Sequence, residues 1–87
     1  MADPWEVLQY PHFTEKSLLR VEKENKLVFI VRRDATKKQI QWAIEKALEV
    51  KVEKINTTID QQGRKKAWVK LTKDYNATDI ATRFGML

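Results

Sequence analysis

Residues Arg64 to Lys73 carry the chain's most distinctive side chains for chemistry. This stretch holds five basic residues and no acid, with Trp68 among them. Side chains alternate across a strand, so Ala67, Val69 and Leu71 point to one face and Lys66, Trp68, Lys70 and Thr72 to the other. The first face is a small apolar strip fit for a core. The second sets an indole between two ammonium groups, with Arg64, Lys65 and Lys73 close by. Cations that neutralise phosphates, with an aromatic plane for a base or ribose, are what an RNA-binding sheet needs. A central strand covered on both faces would instead bury Trp68 in the core, and both roles stay open.

Two further clusters carry positive charge. Arg32-Arg33-Asp34-Ala35-Thr36-Lys37-Lys38 joins a strand end to a helix start. Cations at a helix N-terminus oppose the macrodipole, so Lys37 and Lys38 suit an anionic partner better than they suit the helix. The other cluster joins Lys51 and Lys54 to Asn56-Thr57-Thr58, whose amide and hydroxyl groups can hydrogen-bond to phosphate, ribose or base edges. Thr58 reads as ordinary strand polarity.

Groups for catalysis are missing. An enzyme needs an acid, base, nucleophile or metal in a preorganised site. His12 is the only histidine, nothing beside it forms a dyad, and it reads as a turn residue or an RNA contact. Two glycines, Gly63 and Gly85, cannot build a phosphate-cradling loop. The carboxylates are scattered among lysines, as surface ion pairs are. With no cysteine, disulfides and thiolate metal sites are excluded. No enzyme activity, metal or cofactor is expected.

The elements that must position these residues follow from pattern. The 87 residues make one domain, 1–87, too short for two cores. At 43% hydrophobic and 33% charged, the chain has a folded protein's composition. A net charge of +5 and pI near 9.6 favour an anionic partner, nucleic acid ahead of membrane. The first residues lack a signal peptide's form, and the apolar run Leu27–Val31 is far short of a membrane span, so a cytosolic location is expected.

Asp3-Pro4 and Tyr10-Pro11 predict extended backbone, with a short edge strand near Glu6–Gln9. Thr14 predicts the N-cap of a helix over Glu15–Lys23, with Leu18, Leu19 and Val21 as its apolar residues. Glu24-Asn25-Lys26 turns the chain into a strand, Lys26–Arg33, apolar on both faces. Thr36 and Gln39 form a capping box ahead of the stripe Ile40, Ala43, Ile44, Ala47, Leu48, with Trp42 beside it. Val50 and Val52 are out of phase with Ile55, Thr57 and Ile59, which predicts a bulge near Glu53-Lys54. Asp60-Gln61-Gln62-Gly63 reads as a tight hairpin loop. Asn76 caps a last helix whose packing residues are Ile80, Ala81 and Phe84, with Gly85 past its end. The order predicts an α+β fold, a small antiparallel sheet with about three helices laid against it.

Five segments stand in sequence order: Pro11-His12-Phe13-Thr14-Glu15-Lys16, Asn25-Lys26-Leu27-Val28-Phe29, Ala35-Thr36-Lys37, Val50-Lys51-Val52-Glu53-Lys54-Ile55-Asn56-Thr57 and Lys65-Lys66-Ala67-Trp68-Val69-Lys70-Leu71. Together, from about Trp5 to Phe84, they resemble the family of large-subunit ribosomal protein twenty-three. The resemblance implies a four-stranded antiparallel sheet in a structural protein of the large subunit, held on ribosomal RNA at the polypeptide exit tunnel. It implies a neighbouring tunnel-exit protein, number twenty-nine, and a docking surface for nascent-chain factors, including signal recognition particle and the protein-conducting channel. No membrane insertion is implied. Bacterial members use the acid of a Thr/Ser-Glu-Lys motif to hold a ribosome-bound chaperone, which maps onto Glu15. The short hairpin between Ile59 and Arg64 is similar to the archaeal type and too short for a tunnel-probing arm. Trp68 departs from the smaller residue usual there.

The residues read as RNA-binding are thus His12, Thr14, Lys16, Arg33, Lys37, Lys38, Asn56, Thr57, Arg64, Lys65, Lys66, Trp68 and Lys70. Two other readings remain on sequence alone: a free-standing RNA-binding regulator, and an adaptor whose basic face meets an acidic protein.

Overall fold

Asp3 opens the residues described by the computed structural model, 3–85, as an N-cap: its carboxylate accepts from the Trp5 N–H at 2.9 Å. Pro4 at the first helical position has no N–H to leave unpaired. The result is a one-turn helix α1, Pro4–Val7, where an extended segment was expected. Asp-Pro is therefore a helix start here, and the edge strand β1 shifts to Leu8–Pro11.

Helix α2, Glu15–Glu24, begins at Thr14 with a reciprocal box: Thr14 Oγ1 accepts from the Ser17 N–H, and Ser17 Oγ from the Thr14 N–H. The box draws Ser17 inward, so Ser17 and Val21 are the buried residues while Leu18 and Leu19 are 38% and 51% exposed. This corrects the apolar face expected for the helix. Strand β2, Lys26–Val31, follows, buried from Leu27 to Val31. Helix α3, Lys37–Leu48, starts at the Thr36–Gln39 box and buries Ile40, Ala43, Ile44 and Leu48, with Ala47 and Trp42 packed at its margin.

Strands β3, Val52–Ile59, and β4, Lys65–Leu71, form the hairpin. A register shift between Val52 and Lys54 reconciles the two hydrophobic phases as expected. The turn is tight: the Gly63 N–H donates to Asp60 O, Asp60 N–H to Arg64 O, and Gly63 takes φ +79°, the three-residue loop that ends in a left-handed residue. Helix α4, Ala77–Arg83, is capped by Asn76 and buries Ala77, Ile80 and Ala81. Phe84, expected in the packing, is 37% exposed under Arg83.

The sheet is antiparallel with strand order β1-β2-β4-β3. Leu27, Phe29 and Val31 of β2, Ala67, Val69 and Leu71 of β4, and Ile55 of β3 share one cluster with Val7, Val21, the α3 stripe and the α4 residues. Helices α1, α3 and α4 thus cover one face, while α2 reaches the other, where Arg20 lies over Trp68 and Thr14 stands beside Arg64 and Lys66. Val28 and Ile30 are also buried but stand outside that cluster. Their cross-strand neighbours on β4 are Trp68 and Lys66, and Arg20 of α2 lies over Trp68, so β2 is covered on both sides.

Asn25 joins the two ends of this arrangement. It closes α2 in the left-handed region at φ 56°. Its Nδ2 donates to Tyr75 O at 2.8 Å and to Thr72 O and Leu71 O at 3.3 and 3.4 Å, while its Oδ1 accepts from the Ala77 N–H at 2.7 Å. A side chain read as a turn residue therefore holds the whole β4–α4 connection.

Candidate nucleic-acid interface

Pairing partners in neighbouring strands point to the same face, so the register sorts every residue of the sheet. On the face opposite α3 one rung reads Tyr10, Ile30, Lys66, Thr58 across β1, β2, β4 and β3. The next reads Val28, Trp68, Asn56, extended by His12, whose N–H donates to Val28 O at 3.0 Å. The third is Lys26, Lys70, Lys54. Three ammonium groups thus lie side by side in one row.

Like charges directly opposite one another destabilise a sheet. In this row only Lys26 has an acid beside it, Glu24 at 3.2 Å. Lys54, Lys66 and Lys70 make no ion pair among the described residues. Lys66 and Lys70 are half-buried, which holds their stems on the sheet and their charges at its surface. Trp68 is half-buried in the centre of the face, and the Arg20 guanidinium sits over its ring at 4.7 Å. Indole and guanidinium together make a cationic, stackable platform.

The hairpin end of the same face carries Asp60 and Arg64. Asp60 Oδ2 accepts from Arg64 Nε, and Oδ1 accepts from the N–H groups of Gln62 and Arg64, all at 2.9 Å. Partial desolvation pushes the Asp60 carboxyl up. The Arg64 N–H, the Arg64 side chain and the Gln62 N–H outweigh it and hold the pKa below the ordinary 3.8. A depressed carboxylate stabilises the fold above its unfolded pKa, and that contribution goes as pH falls through the folded value. Hairpin loosening is therefore expected below about pH 3.8 and not above it. NMR shifts of the Gln62 and Arg64 amides during acid titration check this, and Asp60→Asn removes the effect.

His12 stands near this pair. Burial first, then the charges of Lys66 and Arg64, lower its pKa from 6.5 against the opposing pull of Asp60. Its imidazole is accordingly neutral at physiological pH.

The residues singled out from sequence divide into groups. Asn56, Lys66, Trp68 and Lys70 come together on the face opposite α3, with His12, Arg64 and the α2 cap Thr14 around one depression at its hairpin end. Lys16 is exposed on the first turn of α2, and Glu15 beside it. Arg33, Lys37 and Lys38 are exposed around the β2–α3 connection, and the Arg33 guanidinium approaches Gly63. Two residues lie apart. Thr57 pairs with Ala67, on the helix side. Lys65 pairs with Val31 on that side, and its Nζ donates to Ala35 O at 2.7 Å and more weakly to Arg33 O at 3.5 Å, clipping β4 to the β2–α3 turn. Period-two alternation already separates Lys65 from Lys66, and Thr57 from Asn56. Lys26, Arg20 and Thr58 enter the face through strand order and helix packing.

A four-stranded antiparallel sheet with α3 and α4 on one face, and a cationic, aromatic surface beside α2 on the other, defines an α+β protein. The family model of ribosomal protein L23 matches residues 6–79, and on that match the chain belongs to the ribosomal protein L23 family. It is 55% identical over 74 residues to large ribosomal subunit protein uL23 of Pyrobaculum aerophilum, covering 85% of this chain and 91% of that one. It is 43% identical over 84 residues to the protein of the same name from Methanothermobacter thermautotrophicus, covering 97% and 98%. The protein is thus of archaeal type, a non-enzymatic structural component of the large ribosomal subunit and so a cytoplasmic one. Among the described residues no helix is long and apolar enough to cross a membrane.

Proposed function

We propose that the cationic surface of the sheet opposite α3 is what seats this chain on large-subunit RNA, beside the polypeptide exit tunnel. The row Lys26–Lys70–Lys54 carries this reading. Three cations held against each other, only one with an acid at hand, are a poor surface for a free protein and a good one for closely packed phosphates. Lys66, Arg64 and the Trp68–Arg20 platform extend it, while Asn56 and Thr58 offer hydrogen bonds to ribose or base edges. Arg33, Lys37, Lys38 and Lys16 form flanking contacts to further phosphates. Thr57 and Lys65 serve the fold, which their places on the helix side support.

The tunnel-exit position rests on the ordered sequence segments that resemble the family. The hairpin turns within Asp60–Arg64, which suits a member without an arm into the tunnel. The same resemblance makes the neighbouring protein number twenty-nine a standing contact, with signal recognition particle and the protein-conducting channel as transient ones. The exposed run of α2, with Glu15, Leu18 and Leu19, suits docking by such factors.

Filter binding to tunnel-side fragments of large-subunit RNA tests the main reading. With some five phosphate contacts, affinity is expected to fall about five hundredfold between roughly 50 and 200 mM salt. An affinity independent of salt contradicts phosphate neutralisation.

A further inference from the structure

Beside the lysine rows lies a cleft that phosphate neutralisation does not account for. The hairpin loop, the β1–α2 connection and the start of β4 border an open depression of about 330 Å³. That is near the lower end for small-molecule sites, about 300 Å³, the scale of a single nucleotide. Arg64 and Lys66 form one wall, Gln61 and Gln62 another, and His12 and Thr14 a third.

The lining is matched to a base as well as to a phosphate. Asp60 engages Arg64 through Nε and the same guanidinium donates to the Tyr10 side chain, so the group is fixed in place with N–H donors remaining for an anion. The Asp60 carboxylate already accepts three hydrogen bonds, which mutes its repulsion of a phosphate. Gln61 and Gln62 are exposed, and their side-chain amides make no hydrogen bond among the described residues. Each presents a donor and an acceptor, the complement of a base edge. The flat His12 ring, half-buried between β1 and α2, offers a stacking surface.

We infer that this cleft receives one unstacked ribonucleotide, its phosphate on Arg64 and Lys66, its base edge on the Gln61 and Gln62 amides and its plane against His12. The inference rests on the RNA-seating reading above and adds to it a preference for a looped-out or single-stranded nucleotide. The lysine row acts through phosphates and does not by itself distinguish a duplex from a single strand.

The test compares a short single-stranded RNA with a duplex of the same sequence, both titrated against the full chain. The variant pair Gln61→Ala/Gln62→Ala changes exposed loop side chains and leaves the Asp60–Gly63 backbone turn in place. Single-strand affinity is expected to fall about tenfold with duplex affinity unchanged. Lys54→Gln/Lys70→Met is expected to weaken both RNAs alike. A Gln61/Gln62 variant that binds the single strand as tightly as the parent overturns the cleft. If duplex binding stays salt-dependent in that same experiment, the seating of the sheet face stands without it. If the parent binds neither RNA, both readings fail together.

Discussion

Replacing Asn25 by alanine is expected to cost about 3 kcal/mol of stability, the largest loss from any single polar substitution in this fold. Two effects add. Asparagine tolerates the left-handed region better than alanine, and a Cβ-bearing residue without that help costs about 1 kcal/mol there. The lost side chain also takes the Asn25 partners from the Tyr75 carbonyl and the Ala77 N–H, which anchor α4 to the end of β4, while the Thr72 carbonyl keeps its bond from the Tyr75 N–H. Leaving such groups without partners accounts for about 2 kcal/mol more. Asn25→Gly separates the two, because glycine keeps the backbone and loses only the hydrogen bonds. Urea denaturation should place Asn25→Gly between the parent and Asn25→Ala. Equal stability of all three proteins would show that the β4–α4 connection holds itself.

The second large effect runs in opposite directions for stability and for binding. Lys54→Gln with Lys70→Met takes two charges from the crowded row and keeps most of the Lys70 stem. Relief of like-charge repulsion should stabilise the free protein by up to about 1 kcal/mol. The same change removes two phosphate contacts. The slope of log affinity against log salt should fall by about two, with affinity itself down on the order of ten- to a hundredfold. A residue pair kept for folding alone would lose stability when replaced. The combination of a firmer protein and a weaker complex marks a surface whose charges serve the partner. Thermal melts and filter binding on the same samples read both quantities.

How much of this was legible in the chain depends on the range over which each signal acts. Alternation in β4 is local, so its two faces followed from Lys66, Trp68 and Lys70 against Ala67, Val69 and Leu71. Capping at Thr14, Thr36 and Asn76 is local too, and each cap stands where its side chain predicts. Asp3-Pro4 misled because proline fits both an extended segment and a first helical turn. Leu18 and Leu19 misled because hydrophobicity alone does not orient a helix. The Ser17 box and the contact of Val21 with the core turned them outward.

The site was legible in kind and only partly in membership. Nothing along the chain says that β4 lies between β2 and β3, so the meeting of Lys26, Lys70 and Lys54 could not be read from their spacing. The reach of Arg20 across Trp68 and of Asn25 to Tyr75 and Ala77 are tertiary facts of the same sort. Lys65 shows the converse. It belongs to the basic run by sequence and to the fold by its bond to Ala35 O.

Lysine acetylation footprinting tests the central claim most directly, comparing the free protein with intact large subunits. Lys54, Lys66 and Lys70 should react in the free protein and be protected in the subunit, while exposed Lys46 in the last turn of α3 keeps its reactivity in both. Protection of Lys46 with continued reactivity at Lys54, Lys66 and Lys70 would place the RNA on the helix side and contradict the account.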